Sequence, residues 1–144
     1  HAMSMGSVIL QAADTRIMMP NSKFMIHYGY DTQDNNTRTV FKWVDESKRL
    51  GYFMENVYLD KMMDKEKKEG HGHLSKVLSQ IMTKQYEMEY PPLSRKVFNY
   101  SFSKKEDIKR EEIRFILKEM LSFDTILNAE ETVDLGFADE IYKG

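Results

Sequence analysis

Cysteine is missing from the 144 residues, and only three prolines and seven glycines are present. A chain without cysteine has no disulfide framework, no thiol nucleophile and no cysteine-bound metal, which fits a reducing compartment. No apolar run reaches the ~20 residues that a transmembrane helix needs, and the first residues lack the basic leader of a secretory signal. We therefore expect a cytoplasmic protein with no membrane segment.

Excess charge of either sign is also absent, because 21 Lys and Arg stand against 23 Asp and Glu. This balance argues against general nucleic-acid binding, and the basic run Lys65–Lys68 is typical of a solvated surface. The chain has no glycine-rich phosphate loop. His71 and His73 are spaced to share a metal but have no third ligand near them in sequence, so Gly70–His73 is interpreted as a linker. We expect no cofactor and no metal in this chain.

The length fits one domain, residues 1–144, and the patterns predict helices mixed with short strands, an α/β class. The first half of the chain is predicted to contain a helix over 4–13 with no strand before it, strands over 16–19 and 23–27, and a long helix from Thr39. A helix from Leu74 to Tyr86 and a strand or ordered loop over 97–102 follow. The last part is predicted to contain a helix that starts after a capping box at Ser103–Glu106 and ends at Leu121, a short helix capped at Asn128 and ended by Gly136, and a strand or extended tail over 137–142.

Ser4 lies between small residues at the start of the first apolar helical run. A serine there can present its hydroxyl at the positive end of a helix, as a nucleophile does. It can equally be a helix N-cap without chemistry. The local pattern leaves both interpretations open.

Several motifs in a fixed order resemble the Clp-type serine peptidases, the proteolytic (ClpP-like) subunits of the caseinolytic protease. They are Ser4–Ser7 (Ser-Met-Gly-Ser), Pro20–Ser22 leading into Met25–His27, Asp124 ahead of Asn128–Glu131, and Leu135–Ile141 (Leu-Gly-Phe-Ala-Asp-Glu-Ile). The order makes the resemblance specific. It covers residues 1–63 and 111–144 well and the middle poorly.

The resemblance implies that Ser4 is the nucleophile, His27 the general base and Asp124 the carboxylate that orients His27. It also implies that the backbone N–H of Met5 is one oxyanion donor. The family takes its second donor from a glycine of an earlier strand, which this sequence does not contain. We therefore expect residues upstream of His1 to supply it, with this chain as the C-terminal portion of a peptidase domain.

The resemblance further implies a ClpP/crotonase-like spiral of short strands and helices with a long projecting handle helix. It implies a homo-oligomeric ring that cuts unfolded proteins or peptides, fed by an ATP-dependent AAA+ unfoldase. The spacing from His27 to Asp124 is longer than in the family, which predicts an insertion at about 65–110. The glycine-rich stretch that follows the histidine in the family is replaced here by Tyr28–Asp34.

Each candidate also has a purely structural interpretation: Ser4 as a cap, His27 as a strand-end residue bonded to a carbonyl, and Asp124 as a turn former or cap. A second function is a catalytically weak ClpP-like scaffolding or assembly protein, for example in viral capsid maturation, which uses the inserted segment for interactions. A third, a crotonase-like acyl-CoA enzyme, shares the spiral but gives no reason for Ser, His and Asp in this order.

Overall fold

The computed structural model describes residues 2–3, 5–28, 37–86, 109–122 and 125–144. Its elements, in chain order, are β1 (Ala2–Met3), α1 (Met5–Leu10), β2 (Ile17–Met18), β3 (Phe24–Ile26), α2 (Thr37–Glu69), α3 (His73–Tyr86), α4 (Arg110–Ser122), β4 (Thr125–Leu127), α5 (Ala129–Asp134) and β5 (Glu140–Ile141). Helices are mixed with a few short strands, so the predicted α/β class is confirmed. The spiral and the handle role of α2 stay predictions.

The two predicted strands near the start of the chain are present in shortened form as β2 and β3. Phe24 and Ile26 are fully buried while Met25 between them is half-buried. This alternation is typical of a strand with one face on the core. The helix predicted over 4–13 ends its α-helical part at Leu10 and continues as a turn.

The prediction that no strand precedes the first helix was wrong. Ala2 and Met3 form β1, which pairs in parallel with β3 through Ala2 to Phe24 and Met3 to Met25. A strand of two residues has no periodicity to detect. β1 forms because its backbone groups pair with the N–H and C=O groups along one side of β3.

The long helix is confirmed as α2, which spans 33 residues and begins two residues before the predicted Thr39. Its inner face buries Met54, Tyr58, Leu59 and Met62 in the core. Gly70 follows with a φ of +103°, a conformation that favours glycine and ends the helix.

The next helix, α3, packs on α2 and adds Leu74, Val77, Leu78, Ile81 and Met82 to the same core. The predicted insertion at about 65–110 therefore begins inside α2 and includes α3, whose side chains are core residues. Its bounds stay a prediction. The capping box at 103–106 and the element over 97–102 lie outside the described residues.

The buried face of α4 packs against α2, and α4 ends one residue beyond the Leu121 at which the sequence predicted that the chain leaves the helix. The predicted cap of α5 is confirmed: Asn128 Oδ1 accepts from the Glu131 N–H at 2.8 Å, and Glu131 Oε1 accepts from the Asn128 N–H at 2.9 Å. Gly136 follows with a φ of +91°. The predicted end of this helix at Gly136 is thus confirmed.

The last strand, β5, pairs in parallel with β2, so the tail over 137–142 contains a strand as predicted. Between the two sheets, the ring of Phe137 stacks on Phe24 with centroids 5.4 Å apart and meets Tyr58 edge-on at 5.2 Å. These three rings join the C-terminal segment to β3 and α2. In the described ranges, no helix has the length and apolar character to cross a lipid bilayer.

Candidate active site

The sheet of β1, β3 and β4 brings three chain segments to one edge. β3 is its central strand, with β1 parallel on one side and β4 antiparallel on the other. Ile26, the last residue of β3, pairs with Thr125, the first residue of β4. The carboxyl ends of β1 and β3 and the amino end of β4 therefore share an edge.

Of the three catalytic candidates, the structure describes His27, which directly follows β3 and is half-buried. Ser4 and Asp124 lie outside the described residues. Their sequence neighbours do not: Met3 ends β1, and Thr125 begins β4. Met5, the predicted oxyanion donor, is the first residue of α1.

The start of β4 is fixed by Thr125, which is fully buried. Its hydroxyl donates to the carbonyl oxygen of Met120 at 2.6 Å. This hydrogen bond connects the first residue of β4 with the last turn of α4.

The short helix α1 is held by buried polar contacts. The hydroxyls of Ser7 and Tyr58 are hydrogen-bonded, and Gln11 Nε2 donates to the carbonyl oxygens of Ser7 and Phe137, each at 3.1 Å. Burial raises the pKa of the Tyr58 phenol to about 12. The phenol therefore stays neutral and keeps its place against α1 at ordinary pH.

Arg16 connects the turn after α1 with the C-terminal segment. Its guanidinium donates to Asp139 Oδ1 at 2.8 Å and Oδ2 at 3.2 Å, to Gln11 Oε1 at 2.7 Å and to the Gly136 carbonyl oxygen at 2.9 Å. The hydrogen bond from Arg16 holds the pKa of the Asp139 carboxyl below its ordinary value. A chain of contacts therefore runs from the exposed Asp139 through the buried Arg16 and Gln11 to α1.

This ion pair makes stability depend on pH in a defined direction. Since the pKa of Asp139 is lowered in the folded state, its stabilisation is complete above the ordinary value of 3.8 and is lost as pH falls through the folded-state value. We expect the difference in unfolding free energy between wild type and Asp139→Asn to be largest near neutrality and to shrink in acid. Urea unfolding at a series of pH values measures it.

Asp14→Asn, at an exposed aspartate, controls for the loss of one negative charge. A difference between wild type and Asp139→Asn that stays constant from about pH 7 to pH 2 would contradict the expected linkage.

A polar cavity of about 350 Å³ lies beside this network. Its charged lining residues are Asp14, Arg16, Lys61, Asp64, Lys65, Lys68 and Asp139. His27, the catalytic candidate that the structure describes, does not line it. Within the described part of the chain, no group of three or more His, Asp or Glu side chains is placed to hold a metal ion.

The contacts of Arg16, Gln11 and Tyr28, which hold α1 and the end of β3 in place, were not predicted from the sequence. One signal was available, because Asp139 belongs to the closing motif that carried the resemblance. Its partner Arg16 lies 123 residues away, and no periodicity connects two such positions.

A comparison with protein-family models finds a match. The family model described as Clp protease matches residues 1–69, just under half of the chain, from β1 to the end of α2. This region contains Ser4, Met5 and His27, whereas Asp124 lies beyond it. Among curated proteins, none matches the chain. Over residues 1–69, the chain is therefore similar to the Clp protease family.

Proposed function

We propose that this protein is a Clp-type serine endopeptidase that hydrolyses peptide bonds of unfolded proteins or peptides. Ser4 is the nucleophile, His27 the general base, and Asp124 the carboxylate that orients His27. The observation that carries the proposal is the shared edge of the sheet, and the match to the Clp protease family supports the reaction class.

The register supports the grouping of the three residues. One peptide bond joins Ser4 to Met3, His27 to Ile26 and Asp124 to Thr125, and consecutive Cα atoms lie ~3.8 Å apart. Neighbouring strands lie ~4.8 Å apart. Each candidate is thus attached to a strand end at the same edge, which three unrelated caps would have no reason to share.

The chemistry assigned to these residues is acyl transfer. The His27 imidazole removes the Ser4 proton as the hydroxyl oxygen attacks the peptide carbonyl, and it then returns the proton to the leaving amine. The Asp124 carboxylate holds the imidazole in the required tautomer and stabilises the imidazolium. Water repeats the sequence on the acyl-enzyme and releases the acid.

Met5 supplies one backbone donor to the oxyanion in this proposal. The first N–H groups of a helix have no acceptor within the helix, and Met5 opens α1. Such a donor stabilises the charge that develops on the carbonyl oxygen in the transition state.

The assembly in this proposal is a homo-oligomeric ring of peptidase subunits. An AAA+ unfoldase feeds it with unfolded chains, and ATP is used only by that partner, so the peptidase needs no cofactor. These points follow from the likeness to Clp proteases. Nothing in that likeness favours the scaffolding alternative.

A fluorophosphonate probe tests the proposal, because it forms a covalent bond only with an activated serine. We expect the full-length protein to be labelled at Ser4, and labelling to be lost in Ser4→Ala and in His27→Ala. Peptide mapping by mass spectrometry identifies the labelled residue.

Two matched variants separate chemistry from general damage. Ser22→Ala changes a serine in a surface turn, and His71→Ala changes an exposed histidine between α2 and α3, so both should keep wild-type labelling. Folded full-length protein that takes up no label, or takes it up equally in Ser4→Ala, would overturn the proposal.

A further inference from the structure

Tyr28, the residue directly after His27, is bound to two different helices. Its backbone N–H donates to the carbonyl oxygen of Leu121 at 2.9 Å, near the end of α4. Its hydroxyl donates to Glu55 Oε2 on α2 at 3.1 Å. Leu121 lies three residues before Asp124. Tyr28 therefore connects the end of β3 with the segment that leads to the third candidate.

The acceptor of the Tyr28 hydroxyl is itself held in place. Glu55 is only 5% exposed, and its other oxygen, Oε1, accepts from Arg114 Nη1 at 3.0 Å. Arg114 also donates from Nη2 to Asn56 Oδ1 at 2.7 Å and lies 4.9 Å from the centre of the Tyr52 ring. A charge fixed by a guanidinium on a helix is a rigid anchor.

The ring of Tyr28 lies against Gly51, one helical turn before Glu55. A Cβ added to Gly51 would come within 3.3 Å of Tyr28 Cε1. The absence of a side chain at Gly51 thus leaves the space that the ring occupies. Burial and the Glu55 carboxylate both raise the pKa of the Tyr28 phenol, so it remains a hydrogen-bond donor across the working pH range.

We infer that Tyr28 is a positioning residue for the proposed peptidase reaction, fixing the chain at His27 to α2 through Glu55 and Gly51 and to α4 through Leu121. This inference rests on the proposed function. In this proposal, Tyr28 acts through the backbone that it shares with His27. Small displacements of a general base have large effects on rate, since catalysis depends on alignment at the ångström scale.

Two variants of the full-length protein test this role by different means. Tyr28→Phe removes the hydroxyl bond, and Gly51→Ala pushes the ring aside while replacing a helix glycine by the best helix former. We expect each to lower the rate constant of fluorophosphonate labelling at Ser4 by about tenfold. We also expect the pH profile of labelling to change, because labelling depends on the proposed contact between His27 and Asp124.

Thermal unfolding separates positioning from stability. Gly51→Ala should unfold at the wild-type temperature or above, although its labelling is slower. Tyr142→Phe, at a half-exposed tyrosine in the C-terminal tail, is the matched control and should label like wild type. If Tyr28→Phe does not fold, Gly51→Ala decides.

The outcomes distinguish the two levels of the hypothesis. Wild-type labelling with an unchanged rate and pH profile in Gly51→Ala and in folded Tyr28→Phe overturns the positioning role and leaves the proposed function standing. A folded wild type that is not labelled overturns the proposed function and the positioning role together.

Discussion

Replacing Gly136 by alanine is expected to lower the free energy of unfolding by about 3 to 5 kcal/mol, since strain and overpacking add. The φ of +91° is one that L-residues rarely adopt. In addition, the new Cβ would lie 2.6 Å from the Lys61 carbonyl oxygen and 2.7 Å from Lys65 Cβ. The Lys61 carbonyl is part of the α2 backbone, so the clash cannot be relieved by rotating a side chain. Urea unfolding measures the loss.

Gly70→Ala is the matched control for this prediction. Gly70 has a similar φ of +103°, but nothing lies within 4 Å of an added Cβ. It should lose only the conformational part, about 1 to 2 kcal/mol. The difference between the two variants isolates the contact with α2. Equal losses would show that Gly136 does not pack against α2 as described.

Peptide hydrolysis should fall by about 10⁵ to 10⁶-fold in Ser4→Ala and in His27→Ala, and by about 10⁴-fold in Asp124→Asn. The first two remove the nucleophile or the base, whereas the third leaves the base in place but in the wrong tautomer. The measurement is the kcat of each variant on a short fluorogenic peptide, with His71→Ala as the control variant.

The double variant Ser4→Ala/His27→Ala gives the sharper result. Because the two residues act as a unit, it should be no slower than either single variant. Multiplicative losses would mean that Ser4 and His27 contribute independently, and the triad assignment would then be wrong.

Much of the helical part of this fold was predictable from the sequence. The apolar stripe of α2, the apolar face of α4 and the capping residues at Asn128 and Glu131 are local signals. Gly136 was predicted as a helix end for the same reason. The strands β1 and β4 were not predicted, whereas β2 and β3, which are as short, lie in apolar runs on either side of the Pro20–Ser22 turn.

Some residues of the candidate site were also predictable from the sequence, and others were not. His27 was predicted from a strand end together with the order of motifs, and the structure puts it at the edge where β1 and β4 also have ends. Ser4 and Asp124 as its partners stay predictions. The roles of Arg16 and Tyr28 were not predictable, since each depends on groups that are remote in sequence and near only in the folded chain.

The strand pairing in both sheets has a consequence for the order in which this protein folds. β3 pairs with β4, β2 pairs with β5, and Arg16 forms an ion pair with Asp139. During synthesis, β2 and β3 therefore wait for partners from residues 125–141, as is usual for nonlocal pairing. A nascent chain would therefore contain β1 and β3 long before β4, the strand next to Asp124, completes their sheet.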